Sequence, residues 1–316
     1  MSVGPDAATG DIQPPQLRRP LATTWRIVRQ QPRATIGVLI IVFFVAVAVL
    51  APWLAPYSID EKVGPVYAPP SSEHPLGLDD AGIDMLSLMM WGARVSLVVG
   101  FAAALVAMLI GGTIGLVSGY FGGRTDTVLM RMTDYFLVIP DIPLMLVAAA
   151  IWGRSLSNII IIIGVIYWTT TARLIRSQVI SLRERVYVKR AEAVGAGHRR
   201  ILFRHILPQV IPLIVANTVL TVAIAIFAET AIAFLGLGDP TLTSWGRLIE
   251  NAFSHNAITV DAWWAIVPPG IAVALVILGC TMVGQAIEDT LNPRLRVGHL
   301  SVRRFRLRPL QSGDPV

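Results

Sequence analysis

Six apolar stretches dominate the sequence and decide its solvent: about Ile36–Ala55, Leu97–Val117, Tyr135–Trp152, Ile159–Thr170 with its flanks, Val210–Leu235 and Ala265–Ala286. A run of about 18 or more residues with few charges is long enough to cross a bilayer core as a helix. The fourth stretch is short as a pure run and reaches span length by extending back to Leu156 and on to Ala172. Charged residues make up only 15% of the chain, against about 25% in soluble domains, so there is too little charge to cover a water-facing surface. The expected fold is an all-α integral membrane protein with six transmembrane helices. Its prolines at Pro143, Pro212, Pro268 and Pro269 fall near the ends of spans, where fewer helix bonds are lost.

Six spans put both termini on one side, and the basic residues say which. Of the 26 Lys and Arg, four (Lys62, Arg94, Arg154, Arg247) fall in segments on the opposite side, leaving 22 with the termini. Cytoplasmic loops collect Lys and Arg, so the termini and the Arg-rich stretch 173–204 are expected in the cytoplasm. The same bias explains a net charge of +6 without nucleic acid as a partner. Trp53, Trp91, Trp152, Trp245, Trp263 and Trp264 lie near the outer ends, as interfacial aromatics or as packing groups.

This divides the chain into a disordered, basic cytoplasmic tail (1–30), a first helix acting as an uncleaved signal anchor (31–56), an extracytoplasmic segment (57–94), a core of five helices (95–294) and a basic cytoplasmic tail (295–316). The last touches anionic headgroups or is simply solvated. Membrane lipid is the surrounding partner.

Several chemistries are excluded. A phosphate-binding loop needs a Gly-Lys pair, and the two lysines, Lys62 and Lys189, follow Glu61 and Val188. The five histidines have no close paired spacing for a metal, and Cys280 is alone. Gly236-Leu237-Gly238-Asp239 is a GxGD string like that of intramembrane aspartyl proteases. The second aspartate such an enzyme needs, in a Tyr-Asp pair, is missing; Asp134-Tyr135 is the reverse order.

Between the fourth and fifth spans lies a polar insertion that a span connection alone does not need. Arg173–Val188 is helix-forming and basic, and Ala191-Glu192-Ala193 is small and helical. Gly195 and Gly197 then allow a change of direction, and Arg199–Leu207 leads to Pro208. A helix–Gly–helix hairpin with small residues suits a groove on another protein; an ordinary solvated loop with positive-inside charge is the alternative.

The insertion resembles the cytoplasmic EAA loop of ABC importer permeases: E-A-A, three residues, Gly, nine residues, then I-x-L-P. With Lys189-Arg190-Ala191 as the triplet, Gly195 and Leu207-Pro208 fall at the family spacing, while Lys189, Arg190 and His205 replace Glu, Ala and Ile. His74-Pro75-Leu76-Gly77 with Asp79 and Asp84, followed by Gly92-Ala93-Arg94-Val95-Ser96-Leu97, is similar to the HPLGTDxxGRD…GARxSL signature of the second permease of dipeptide/oligopeptide importers, with Ile83 in place of an Arg. Ala172-Arg173-Leu174-Ile175-Arg176, Phe234-Leu235-Gly236-Leu237-Gly238, Ser244-Trp245-Gly246 and Leu291-Asn292-Pro293-Arg294 extend the resemblance from the first span to Arg294.

The resemblance implies a non-catalytic transport subunit that imports peptides by alternating access in the bacterial plasma (inner) membrane. It would pair with a second permease as a heterodimer, with two cytoplasmic ABC ATPase domains and an extracytoplasmic solute-binding protein. ATP and Mg would sit on the ATPases and no cofactor on this chain. Lys189, Arg190, Ala191, Glu192, Ala193, Gly195, Ala196, Gly197, Arg199, Leu207 and Pro208 are then the ATPase-docking element. His74, Pro75, Leu76, Gly77, Asp79 and Asp84 would seat the binding protein or gate the outer mouth. Glu229, alone within a span, lines the translocation path or hydrogen-bonds a neighbouring helix. Asp141, beside Pro140 near an inner helix end, is expected to be an interfacial cap rather than a substrate ligand. The same architecture also serves nickel complexes, glutathione or other small solutes. An ion-coupled secondary transporter would need paired intramembrane charges or interrupted helices.

Overall fold

A computed structural model describes residues 31–291. The tails expected over 1–30 and 295–316, and most of the Leu291–Arg294 string, lie outside the described residues. Helix α1 (Pro32–Leu54) opens with proline in its first turn, where the missing N–H costs no helix bond. Helix α2 (Met85–Phe121) is 37 residues long, about 55 Å at 1.5 Å per residue, so it overshoots a core of about 30 Å. It starts inside the segment assigned to 57–94. Helices α3 (Gly123–Val138) and α4 (Asp141–Trp152) follow, then α5 (Leu156–Arg183), α6 (Val186–Ala193) and a short α7 (His198–Ile201). Helix α8 (Leu207–Ile232) is flanked by π-helical turns at Leu202–Ile206 and Ala233–Leu237, and α9 (Trp245–Ser254) and α10 (Val267–Leu291) complete the order.

Among the described residues, five helical stretches are long and apolar enough to cross a membrane by themselves, and α3 with α4 makes a sixth only as a pair bent by 87°. The expected third span, Tyr135–Trp152, is therefore not one helix. Pro140 has no N–H to donate and drives the preceding residue out of the helical region; Ile139 is extended at φ −81°, ψ 127°. Asp141 begins the second half-helix at this bend rather than capping a helix at an inner interface.

Among the described residues, helices α2 and α5 make the most extensive pairing. Gly111, Gly115 and Gly119 on α2 recur every fourth residue, and a Cβ on each would run into the α5 backbone: at Trp168 O, 2.5 Å from Ala172 O and 2.8 Å from Arg176 O. Between spanning helices, where water does not drive association, such small-residue stripes permit backbone contact. Gly37 does the same for α1 against Gly279 of α10.

The contacts define two ends. At one, Gln31 meets Thr290, Tyr120 meets His198, and Asp126 at the start of α3 pairs with Arg176 of α5. At the other, the segment 55–84 meets the α9 and 238–266 region: Tyr67 reaches His255 O, and the Trp264 indole donates to Leu78 O at 3.1 Å. The tryptophans expected near the outer ends divide by burial. Trp53 is 77% exposed, while Trp245 is fully buried, edge-on to Phe44 and donating to Met89 O at 3.0 Å.

Candidate functional site

The segment between α5 and α8 folds as a hairpin set on an apolar base. Helix α5 ends at Arg183, and α6 begins after Arg185. Val188 points inward and joins Ile201, Ile206 and Val210 against Tyr120, Ile175, Val179 and Leu182. Ala191 and Ala196 pack against the edge of this cluster. The motif glycine at 195 has a direct cause. Gly195 stands at φ +80°, its N–H bonds Glu192 O at 2.9 Å, and the Ala196 N–H reaches back to Ala191 O at 3.0 Å. This is the glycine-terminated helix end in which a left-handed residue satisfies the last carbonyls.

Gly197 does not share that role. It has ordinary negative φ (−66°) at the start of α7, and a Cβ there would meet nothing within 4 Å. Its extended backbone (ψ 153°) takes part in the change of direction, but only Gly195 stands at a positive φ that calls for glycine. The π turn Leu202–Ile206 leads into Leu207 and Pro208, the first residues of α8, and the Leu207 N–H bonds Leu202 O. Pro208 lacks the N–H that an α-helix would aim at the carbonyl of Arg204.

Opposite the apolar base, Lys189, Arg190, Glu192, Ala193, Gly195, Gly197, His198, Arg199 and Arg200 are exposed. Val194 is 85% and Phe203 58% exposed among these charges. An apolar side chain standing clear of a basic surface is suited to a protein groove. The sequence does carry that signal, as isolated apolar residues in a basic stretch. Lys189, at the position where the motif has Glu, lies 3.4 Å from Glu184 and 4.0 Å from Glu192. Its charge is met by the chain's own acids. The Tyr187 hydroxyl, pushed up by burial, accepts from Gln209 at 2.7 Å.

At the other end, the residues of the HPLG string build a structured loop. Asp84 caps α2, accepting from Ser87 N at 2.8 Å and from the Ser87 hydroxyl at 2.9 Å, and its other oxygen lies 3.0 Å from His74 Nδ1. Asp79 accepts from the amides of Ala81 and Ile83. Burial raises its carboxyl above the usual range, and these backbone bonds offset part of the rise. Burial also pushes the nearby Tyr67 hydroxyl up to about 12, followed by the charges of Asp80 and Asp79. Gly77 stands at φ +67°, with Ala68 O and Trp264 where a Cβ would be. Leu76 is half-buried against the core, and Pro75 is exposed. Ile83, where the signature has Arg, joins the loop through its backbone and packs its side chain on the core.

Glu229 on α8 is buried, with 4% exposure. Its Oε2 accepts from the Ser96 hydroxyl of α2 at 3.2 Å, and Ser244 at the start of α9 lines the same small cavity as Glu229. Ser96 Oγ also accepts from Trp245 N at 3.2 Å. Three separate strings of the sequence, Gly92–Leu97, Glu229 and Ser244–Gly246, thus meet at one carboxylate. Their convergence has no sequence signal, because spacing does not say which helices face each other. Asp239, after the GxG string, accepts from Leu156 N and from Thr241. Burial alone would raise its carboxyl, but those bonds and Arg247 hold it below the usual range.

Comparison with known proteins agrees with this architecture. Residues 111–297 match the model of the family described as binding-protein-dependent transport system inner membrane component, and residues 19–70 match that of the N-terminal transmembrane domain of oligopeptide transport permease C. The dipeptide transport system permease protein DppC of Alkalihalophilus pseudofirmus is 35% identical over 90% of this chain and 94% of its own length. The oligopeptide transport system permease protein OppC of Bacillus subtilis is 34% identical over 85% of this chain and 88% of its own. The glutathione transport system permease protein GsiD of Pectobacterium atrosepticum is 32% identical over 90% and 95%.

Proposed function

Because this chain belongs to the family of binding-protein-dependent transport system inner membrane components, we propose that it is one permease of an ATP-driven importer that moves dipeptides or oligopeptides by alternating access. The observation that carries the mechanism is the 186–206 hairpin: a rigid apolar base with an exposed basic face and Val194 at its crest. A hairpin fixed to α5 and α8 transmits a push at its crest into two spanning helices. The occupant of that face is a cytoplasmic ATPase, which supplies the ATP and Mg that this chain has no Gly-Lys loop to hold. The excess of basic residues at this end supports a cytoplasmic location for it and for both termini. The partners are a second permease, two ATPase domains and an extracytoplasmic solute-binding protein that meets the 55–84 end.

The peptide substrate is supported by the names of the dipeptide and oligopeptide relatives. The glutathione relative favours a second reading, a small modified peptide. The test is to identify what the cognate binding protein holds. Bound peptide is the expected result, and a nickel complex or a sugar overturns the substrate assignment.

A further inference from the structure

The bend between α3 and α4 holds a carboxylate where a membrane protein tolerates one only with a reason. Asp141 is exposed, and its neighbours Ile139 and Ile142 are 47% and 38% exposed. Its two oxygens accept from Ile142 N at 3.0 Å and from the Tyr167 hydroxyl at 3.2 Å. Tyr167 fixes the depth: it lies eleven residues into α5, which starts at Leu156, so it is about 16 Å along that helix. That is about halfway across a core of about 30 Å.

The charged pair next below on α5, Arg173 with Asp134 of α3, is six residues on, about 9 Å further along the helix. Among the described residues no basic side chain pairs with Asp141. An unpaired carboxylate at this depth does not face lipid; it faces protein or a water-filled path. Beside it a cavity of about 280 Å³ is lined by Phe136, Pro140, Tyr167 and Thr170. Thr169 lines it too; the Thr169 and Thr170 hydroxyls are turned back to Ile166 O and Tyr167 O, which leaves the Asp141 carboxylate and the Tyr167 hydroxyl as the polar side-chain groups free to face that space.

We propose that this helix break is a binding site for a cationic nitrogen of the passing solute, with the Asp141 carboxylate as its counter-charge and the Tyr167 hydroxyl as the group that positions it. An ionised carboxylate accepts up to about four hydrogen bonds. Two are made within the chain, and the remaining lone pairs suit a primary ammonium. The proposal rests on the peptide reading above, in which that nitrogen is the free amino terminus.

The test uses the importer reconstituted in vesicles with its partner permease, ATPases and peptide-loaded binding protein. Asp141→Asn should leave ATPase stimulation within about twofold and lower peptide accumulated per ATP by about tenfold or more, a loss of about 1.4 kcal/mol or more, with Asp141→Glu recovering most of it. Unchanged uptake by Asp141→Asn overturns the proposal. So does an equal fall in ATPase and uptake, or loss of the partner permease from the purified complex, because either makes Asp141 a structural or interface group. A wild-type importer that moves a solute without a cationic nitrogen overturns both this site and the peptide reading; a peptide importer indifferent to Asp141→Asn overturns this site alone.

Discussion

The two ends of the molecule carry motif strings of similar specificity and use them in opposite ways. In the 74–84 string the polar side chains turn inward. Asp84 is buried and holds both the first turn of α2 and His74, and Asp79 closes the loop on its own amides. At the 186–206 end the apolar side chains turn inward, and nearly every charged group is left facing out. A buried polar group with all its bonds made inside the chain stabilises the fold; an exposed one above a fixed apolar base is available to something else. The distinction is invisible in the motifs themselves. It follows from which member of each string is buried.

The largest effect should come from the end whose polar groups face inward. Asp84→Ala removes a helix cap and leaves the Ser87 amide, the Ser87 hydroxyl and His74 without their acceptor. The combined loss is about 2–3 kcal/mol. The melting temperature and the yield of assembled complex should fall, while ATPase stimulation per assembled complex stays near wild type. A variant that assembles normally but loses response to the binding protein would reverse the comparison and make Asp84 a contact residue.

An intermediate effect belongs to Gly195. Alanine there meets no atom within 4 Å but must hold φ +80°, at a cost of about 1–2 kcal/mol. The strain falls on the turn, so Gly195→Ala should assemble and lower transport-coupled ATPase activity. Gly197→Ala, at an ordinary φ in open space, should do neither. Equal behaviour of the two variants, measured side by side, would remove the special role of the glycine turn.

Hydropathy made most of this fold legible, and its failures share one cause. An apolar window reports composition and not continuity, so it ran across Pro140 and hid a bend of 87°. It also started the second span at Leu97, although α2 begins twelve residues earlier at Met85, because Met85–Ser96 mixes core-facing and polar residues around the helix. Helix α9, with ten residues, is too short for a window of span length. At the sites, spacing singled out the strings at 74–84, 92–97, 189–208 and 244–246. What each side chain touches required the packing: nothing in the order of residues brings Ser96 and Ser244 to Glu229.

The smallest structural effect, and the finest test of the contrast between the ends, lies at Lys189. It sits on an exposed face between Glu184 and Glu192, where such pairs contribute less than about 1 kcal/mol. Lys189→Gln should leave melting unchanged. Lys189→Glu sets a third carboxylate beside the other two and costs a few tenths of a kcal/mol, about the size of a like-charge pair on a helix face. Transport-coupled ATPase activity should separate the two roles open to this lysine. If the ATPase groove presents an acid to Lys189, both variants reduce coupling, and Lys189→Glu reduces it more because it adds repulsion to the lost attraction. If Lys189 only neutralises its own neighbours, coupling stays at the wild-type level in both. The exposed face would then dock through Val194 and the arginines, with position 189 outside the contact.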